Sequence, residues 1–451
     1  MTGAGLAATL IDRGLDPAER RAKESLFDLV LSRFATLPES DDDRAADVHA
    51  WWVPGRLEVF GTHTDYAGGR TLVCALPRGF AVVARHRRDG MVRVTDARRE
   101  QDLQLVPQDE ILRADSPSQF GWRRYVAVVA RRLARNFPGA AFGTDIVIAS
   151  DLPRAAGMSS SSALVVAVAA VLVHAGALKV RDEWRRNIRG IEDEAGYYAC
   201  MENGMSFGTL IGDGGVGTHG GSEDHAAILT ATARHLSAFS FVPMRPLEVV
   251  PMPDGWRFVV APSGVTAQKA GTAREAYNRL SEGTRVLLDL WNRQSTRRAE
   301  SLMTALTEPV RGADGRHQAG VDLLRDLIRC SDVEGWKRDA LERRLDHFVR
   351  EDARIPEAVD AVRRGDTESL GRLSAESQTE ASTLLGNQLP QTIALAAQAR
   401  ALGGFASKSF GAGFGGSVWA LIERDHADEF ARPWSPDAFV ATPGPPLTKL
   451  A

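Results

Sequence analysis

Residues 151–176 read DLPRAAGMSSSSALVVAVAAVLVHAG, a pattern that predicts a loop leading into a buried helix. The serines Ser159–Ser162 stand where the N-cap and first turn belong, so their hydroxyls and the unpaired backbone N–H groups point out of the helix N-terminus together. Such an end attracts anions, and phosphate above all. The helix that follows carries small residues, among them Ala163 and Ala167, which allow tight packing against a sheet. An ordinary buried helix with a serine-rich cap is the alternative interpretation of this stretch.

Composition limits the kinds of partner this chain can have. The length of 451 residues predicts two large lobes. A content of 44% hydrophobic and 25% charged residues is typical of globular proteins. A formal net charge of -3 without a long basic block argues against nucleic acids and anionic membranes, so a small-molecule substrate is expected. No obligate protein partner is indicated.

The location expected from the sequence is the cytoplasm. The cysteines Cys74, Cys200 and Cys330 share no metal or redox spacing and indicate isolated thiols in a reducing compartment. The stretch from Met1 to Gly14 lacks the pattern of a signal peptide, and no uncharged apolar run reaches membrane-spanning length.

The order of predicted elements divides the chain into a mixed half and a mostly helical half. Short strands flank a polar, Gly-rich loop from Gly61 to Arg70, and further strands are predicted at TDIVIAS and at WRFVVAP (256–262). A helix is expected from about Asp182 to Asn203. The later helices are predicted at 267–292, 319–332, 335–350, 355–364, 367–385 and 390–402.

Two segments match the G-x-G-x-x-G pattern, but neither predicts a dinucleotide site. They are Gly212/Gly214/Gly217 and Gly411/Gly413/Gly416. A dinucleotide fingerprint must follow a strand and open a helix. The first segment runs into more glycines, and the second runs into a strand-like SVWALI. The P-loop and the protein-kinase loops are missing from the sequence.

Three segments together resemble the motifs of the GHMP kinases: PGRLEVFGTHTDYAGG (54–69), LPRAAGMSSSSA (152–163) and KSFGAGFGGS (408–417). The His-Thr-Asp-Tyr core of the first resembles the galactokinase branch. The resemblance implies an α+β, two-lobed GHMP kinase fold, with an N-terminal lobe (1–255) like ribosomal S5 domain 2 and a mostly helical, ferredoxin-like C-terminal lobe (256–451). The third motif is expected to pack against the phosphate loop.

The resemblance also implies ATP and Mg²⁺. The phosphate-binding residues would be Ala155, Ala156, Gly157, Met158, Ser159, Ser160, Ser161 and Ser162. Ser161 and Glu202 would coordinate Mg²⁺, and Glu194, two turns earlier, is the alternative to Glu202. A solvent-exposed surface glutamate is the ordinary interpretation of either.

Two residues are implied to carry the chemistry. Asp224, in Gly-Ser-Glu-Asp-His (221–225), matches the catalytic base of the family, and Arg56 matches the cation that stabilises the transition state. Placed near Asp224, Arg56 would also keep that carboxylate ionised. The alternatives are a solvated turn residue for Asp224 and a surface arginine paired with Glu58 for Arg56.

Sugar recognition would fall to Thr62, His63, Asp65, Gly221 and Tyr277. Asp65 can accept hydrogen bonds from two adjacent hydroxyls. For His63, the alternative interpretation is a structural role. Thr62 replaces the glutamate that binds the primary hydroxyl in the family.

Three further departures from the family pattern are Glu58 in place of an asparagine, Lys408 in place of an arginine, and a Gly-rich insertion before Asp224.

The expected reaction is ATP-dependent phosphorylation of the anomeric hydroxyl of an aldose. Galactose is the leading substrate because the core of the first motif, residues 63–66, is intact. L-arabinose, which lacks the primary hydroxyl, is the closest competitor. A non-catalytic sugar sensor of galactokinase type is the rival interpretation, and a mevalonate- or homoserine-type kinase is the third.

Overall fold

A computed structural model of the chain describes residues 1–38, 47–99, 101–105, 121–154, 156–265, 272–294, 298–307, 310–311, 317–318 and 320–451. The strands in chain order are β1 Val48–Phe60, β2 Arg70–His86, β3 Val92–Asp96, β4 Gln101–Leu105, β5 Thr144–Ser150, β6 His235–Ser240, β7 Arg245–Pro251, β8 Trp256–Pro262, β9 Val310–Arg311, β10 His317–Gln318, β11 Ala406–Phe410, β12 Ser417–Glu423, β13 Phe439–Ala441 and β14 Thr448–Lys449.

Helices cover both sheets and form most of the second half. In chain order they are α1 Gly3–Asp12, α2 Arg20–Ala35, α3 Trp122–Asn136, α4 Ser160–Ala175, α5 Asp182–Asn187, α6 Ile191–Asn203, α7 Glu223–Thr230, α8 Thr272–Gln294, α9 Leu302–Thr307, α10 Gly320–Cys330, α11 Arg338–Arg364, α12 Thr367–Glu380, α13 Pro390–Ala401 and α14 Ala427–Trp434. In the described part of the chain, no helix is long and apolar enough to cross a membrane.

The larger sheet has the strand order β14-β1-β2-β5-β3-β4, and β6 pairs with both β2 and β7. Its centre is the long antiparallel pair β1 and β2, which flank the predicted Gly-rich loop. The pairing of β1 with β2 shifts register between Pro54 and Arg56 and again between Glu58 and Phe60. Such irregularities redirect side chains locally, and here they lie on either side of Arg56 and Glu58.

Helix α4 is buried around most of its circumference, as its uncharged sequence predicts. It packs against β1 and β2 on one side and against α3, α6 and α7 on the others. Strand β1 approaches its N-terminal loop closely: a Cβ on Gly55 would lie 2.7 Å from the Met158 carbonyl oxygen, so this position requires glycine. The Arg56 N–H donates to that carbonyl at 3.3 Å. The first and second motifs are therefore held together by their backbones.

The smaller sheet has the order β11-β12-β8-β13. The turn between β11 and β12 carries the third motif. The Ser417 hydroxyl donates to the Ala156 carbonyl at 2.7 Å, and a Cβ on Gly411 would lie 2.9 Å from the Gly157 carbonyl oxygen. The third motif thus packs against the serine-rich loop, as expected.

Two predicted helix boundaries differ from the structure. The helix expected over 182–203 is interrupted before Ile191, because Gly190 adopts an extended conformation and starts a new helix. Conversely, the two helices expected at 335–350 and 355–364 are the single helix α11, which contains Pro356. Proline removes one backbone hydrogen bond, but burial of the flanking Ile355, Ala358 and Val359 against the core offsets that loss.

Candidate active site

Arg56 and Asp224, which are far apart in sequence, are in direct contact. Arg56 lies on β1 and Asp224 in the first turn of α7. The Arg56 Nε–H donates to Asp224 Oδ1 at 2.6 Å, and Nη1 donates to the Gly157 carbonyl at 3.2 Å. Burial lowers the pKa of Arg56, but the carboxylates of Asp224, Glu223 and Glu58 together raise it above its ordinary value. The guanidinium therefore stays charged beside the serine-rich loop.

Glu223 is a third charged residue beside Arg56 and Asp224. The sequence motifs did not identify it as a site residue. Its side chain is 5% exposed, and its Oε1 lies 3.0 Å from Arg56 Nε. Burial raises the pKa of Glu223 well above its usual range, and the charge of Arg56 offsets only part of that rise. The sequence signal was an acidic pair, but two adjacent acids in a turn are more often solvated.

Ser162 links the serine-rich loop to two carboxylates. Its hydroxyl lies 2.8 Å from Glu202 Oε2 and 3.0 Å from Asp224 Oδ2. One hydroxyl has a single proton and can donate to only one of these oxygens at a time. A hard divalent cation prefers such oxygen ligands, so the donor set fits Mg²⁺.

The metal ligand expected from the motif was Ser161. Ser161 is half-buried, and Ser162 has the hydroxyl that contacts Glu202 and Asp224. Within the described ranges, no group of three or more His, Cys, Asp or Glu side chains is arranged to hold a metal. A magnesium ion here would therefore take its remaining ligands from water and phosphate.

Glu194, the alternative to Glu202, points elsewhere. Its carboxylate accepts from the Tyr198 hydroxyl at 2.7 Å and from Lys179 Nζ at 2.7 Å. Glu202 instead faces the serine-rich loop. Of the two glutamates, Glu202 is therefore the one in contact with the serine-rich loop.

Asp65 and Gly221 form one end of the pocket. Asp65 Oδ2 accepts from the Glu223 N–H at 3.0 Å, and a Cβ on Gly221 would lie only 2.1 Å from that oxygen. Position 221 therefore has no room for a side chain. Burial raises the pKa of Asp65 to about 6, although hydrogen bonds from the backbone of Glu223 and Tyr66 oppose the rise.

His63 lines the pocket, but both of its ring nitrogens contact protein atoms. Nε2 lies 3.0 Å from the Ala412 carbonyl and Nδ1 lies 2.9 Å from the Tyr66 hydroxyl. Because a carbonyl can only accept, Nε2 carries the proton and Nδ1 accepts from Tyr66. The Tyr277 ring lies 5.4 Å from the His63 ring, centroid to centroid. His63 thus joins the first motif to the third, which supports the structural alternative for this residue.

Thr62 does not line the pocket, which differs from the expectation that it faces the sugar. It is 2% exposed, and its hydroxyl donates to Glu58 and accepts from Lys408 Nζ at 2.8 Å. Lys408 also lies 3.4 Å from Glu58 and 3.6 Å from Glu351. Glu351 in turn accepts from the backbone N–H groups of Gly61 and Thr62. We call Glu58, Thr62, Lys408 and Glu351 the buried charge cluster.

The charge of Lys408 dominates the behaviour of Glu351. Burial raises the pKa of this carboxyl, but Lys408, His347 and Arg354 together lower it to about 2. Glu58 also reaches the site itself, because its Oε2 accepts from the Gly411 N–H at 3.3 Å and lies 3.7 Å from Arg56 Nη2. The buried charge cluster therefore supports the first and third motifs from behind the pocket.

The Gly-rich insertion before Asp224 forms one wall. It is anchored to α3, where Arg132 Nη2 donates to the Met205 carbonyl and Asn136 Nδ2 donates to the Ile211 carbonyl. On its other side, Asn278 of α8 donates to the Gly217 carbonyl at 3.1 Å.

The pocket brings together eight of the sixteen residues expected at the site. Of the expected residues, those that line it are Arg56, His63, Asp65, Ser162, Glu202, Gly221, Asp224 and Tyr277. Ala155 of the phosphate loop lies outside the described residues.

Comparisons with known proteins agree with this geometry. Residues 124–201 match the model of the GHMP kinases N terminal domain and residues 358–441 that of the GHMP kinases C terminal domain, while residues 41–86 match the galactokinase galactose-binding signature. The fold and the site define a GHMP kinase.

Two relatives and one solved structure narrow the class. The chain is 30% identical over 379 residues to a galactokinase of Roseiflexus sp. (strain RS-1), and 31% identical over 391 residues to a galactokinase of Chloroflexus aurantiacus; each match covers 84% of both chains. The crystal structure of Lactococcus lactis galactokinase complexed with galactose matches with a TM-score of 0.69 at 21% identity, over 89% of this chain and 95% of that one.

This chain belongs to the galactokinase family and is a sugar kinase. The α+β GHMP kinase fold and the family expected from the motifs are thereby confirmed. GHMP kinases use ATP as the phosphoryl donor.

Proposed function

We propose that this chain transfers the γ-phosphoryl group of ATP to the anomeric hydroxyl of an aldose, with galactose as the leading substrate. The observation that carries the proposal is the position of Asp224, whose two carboxylate oxygens contact Arg56 and Ser162 of the serine-rich loop. A base, a cation and a phosphate loop thus meet at one point. The names of the relatives support galactose. The N-terminal lobe, 1–255, would carry both the substrate-binding and the phosphate-binding loops, and 256–451 would form the C-terminal lobe.

In the proposed reaction, Asp224 accepts the proton of the acceptor hydroxyl as that oxygen attacks phosphorus. Arg56 stays charged in its buried position and stabilises the negative charge that develops on the transferring phosphoryl group. The contact between the two side chains at 2.6 Å keeps Asp224 available as a carboxylate.

The phosphates of ATP would lie against Ala155–Ser162, at the N-terminus of α4. The unpaired N–H groups of this helix end and its dipole favour an anion. The Ser159 hydroxyl is buried and has no hydrogen-bond partner among the described residues, so a phosphate oxygen would satisfy it. Glu202 and Ser162, with Ser161 as the ligand implied by the motif, would hold Mg²⁺, which would supply positive charge to the phosphates.

The sugar would lie over Asp65, Gly221 and Tyr277, with His63 setting the shape of the pocket. Asp65 can accept from two neighbouring hydroxyls. Thr62 belongs to the buried charge cluster and would not contact the sugar. Position 62 therefore offers no carboxylate to the primary hydroxyl of the sugar. L-arabinose, which lacks that hydroxyl, therefore remains the closest competitor of galactose.

The test is an ATP-consumption screen over a panel of aldoses, deoxy sugars and uronic acids, with the position of the product phosphate read by NMR. We expect ATP consumption with galactose and a product phosphorylated at the anomeric carbon. Binding of sugar and ATP without turnover would favour the sugar-sensor alternative, and a phosphate on any other carbon would contradict the placement of Asp224.

A further inference from the structure

Arg344, on α11, is a buried cation behind the residues that line the pocket. It is 3% exposed, and no carboxylate among the described residues forms an ion pair with it. Burying a charge without a counter-charge is unfavourable. An apolar side chain would fill the same space at lower cost, so packing alone does not explain the guanidinium.

The N–H groups of Arg344 join the first motif to α8. Nη2 donates to the His63 carbonyl at 2.7 Å and to the Tyr66 hydroxyl at 3.0 Å. Nε donates to the Leu280 carbonyl at 3.1 Å, one helical turn after Tyr277 on α8. One side chain therefore fixes the loop that carries His63 relative to the helix that carries Tyr277.

The hydrogen bonds that start at Arg344 run in one direction. A guanidinium has only donors, so the Tyr66 oxygen accepts from Arg344, and the Tyr66 proton goes to His63 Nδ1 at 2.9 Å. The opposite ring nitrogen, Nε2, donates to the Ala412 carbonyl of the third motif at 3.0 Å. Burial raises the pKa of Tyr66 to about 12, so this hydroxyl keeps its proton at neutral pH. We call Arg344, Tyr66, His63 and Ala412 the hydrogen-bond chain.

The backbone of His63 requires support of this kind. Its φ is 59°, in the left-handed region that residues other than glycine seldom adopt. Such a conformation persists only where the surrounding contacts hold it. The bond from Arg344 to the His63 carbonyl and the bonds at both ring nitrogens supply these contacts. The placement of the His63 ring in the pocket, beside Tyr277, therefore depends on Arg344.

We propose that Arg344 is a positioning residue for sugar binding, which acts through Tyr66 and the His63 backbone to hold the His63 ring in the pocket wall. This rests on the proposed function, in which His63 sets the shape of the sugar pocket. Arg344 itself makes no contact with the substrate, because it lies behind the lining residues. Lysine is not an adequate substitute, since one ammonium group does not reach the acceptors that a planar guanidinium spans.

The direction of the hydrogen-bond chain can be tested in the protein without substrate. Long-range ¹H–¹⁵N correlation NMR of ¹⁵N-histidine-labelled protein reports which ring nitrogen carries the proton, and His63→Gln assigns the signals of His63. We expect a neutral His63 with its proton on Nε2. A proton on Nδ1 would overturn the proposal, because Tyr66 would then accept from His63 and could not transmit the bond from Arg344.

Arg344→Lys and Tyr66→Phe test the link to the sugar. Each removes hydrogen bonds of the chain, so kcat/KM for the aldose that is turned over best should fall by about tenfold or more. KM for ATP should stay within about twofold of wild type. The double variant should fall little further than Arg344→Lys, because both residues act through one chain.

Two variants serve as matched controls. Arg343→Lys changes an exposed neighbour on α11, and Tyr198→Phe removes a buried hydroxyl that donates to Glu194. Neither residue belongs to the hydrogen-bond chain, so both variants should keep the sugar kinetics of wild type.

Additive effects of Arg344→Lys and Tyr66→Phe would overturn the proposal. So would a loss in ATP kinetics as large as the loss in sugar kinetics, since Arg344 would then support the fold as a whole. If Arg344→Lys does not fold, Tyr66→Phe decides alone, and an unchanged kcat/KM for the sugar would overturn the proposal. Absence of turnover by the wild-type protein with every aldose would instead contradict the proposed function, and the NMR measurement would still test the chain.

Discussion

Replacing Asp224 with asparagine separates proton transfer from binding. In the structure, Oδ1 accepts from Arg56 and Oδ2 faces the Ser162 hydroxyl. An asparagine retains the oxygen opposite Arg56, and its amide can donate to Ser162, whose own proton then goes to Glu202. The hydrogen bonds survive, so we expect sugar and nucleotide affinities within a few-fold of wild type.

The loss of the base should fall on turnover. A positioned general base contributes about 10²–10⁴-fold, which corresponds to about 3–5 kcal/mol in the activation free energy. We therefore expect kcat for Asp224→Asn to fall by that factor in a coupled ADP-release assay, with dissociation constants from calorimetry nearly unchanged.

The matched control is Asp437→Asn, an exposed aspartate whose substitution should leave kcat as in wild type. If Asp224→Asn kept more than about a tenth of the wild-type kcat, proton abstraction by Asp224 would be refuted. A large loss of sugar or ATP affinity with intact folding would equally contradict the hydrogen-bond argument, because the residue would then act mainly in binding.

Three other changes test the surrounding groups. Glu202→Gln should weaken use of Mg·ATP more than sugar binding, whereas Glu194→Gln should leave nucleotide kinetics unchanged; the reverse pattern in steady-state KM values would exchange their roles. Lys408→Met removes the positive charge that pairs with buried carboxylates. It should therefore lower the free energy of unfolding by about 3–5 kcal/mol in denaturant titrations. The pKa of Glu351 is lowered to about 2 from 4.5, so its stabilisation is complete above pH 4.5 and is lost as the pH falls toward 2; this acid-induced loss should shrink in Lys408→Met. The pKa of Asp65 is raised to about 6, so its carboxylate form disappears below that pH, and kcat/KM for the sugar should fall there while kcat/KM for ATP does not.

The sequence predicted the parts of the fold that depend on local pattern. An uncharged run after four serines predicts a buried helix. The apolar runs on either side of the Gly61–Arg70 loop predict the two strands. The interruption before Ile191 and the continuity through Pro356 were not predictable, because tertiary packing decides whether a local break is tolerated.

The residues of the site also include some that the sequence identified and some that it did not. The resemblance to the family motifs implied Arg56 and Asp224, and in the structure these two side chains are in contact. Motif spacing did not determine which neighbouring serine faces the carboxylates, because successive residues of a helix point in directions about 100° apart. It also did not predict that Thr62 turns inward, since its partner Lys408 lies far away in the chain.

The buried charge cluster couples three positions of the chain, two in the first motif and one in the third. Three positions at which the chain departs from the family pattern, Glu58, Thr62 and Lys408, touch one another. Because these side chains touch, a substitution at one of them changes the surroundings of the other two. A residue of the family pattern introduced at one of these positions alone would meet an environment shaped for the other two, so the effects of changing the three positions are expected to be non-additive.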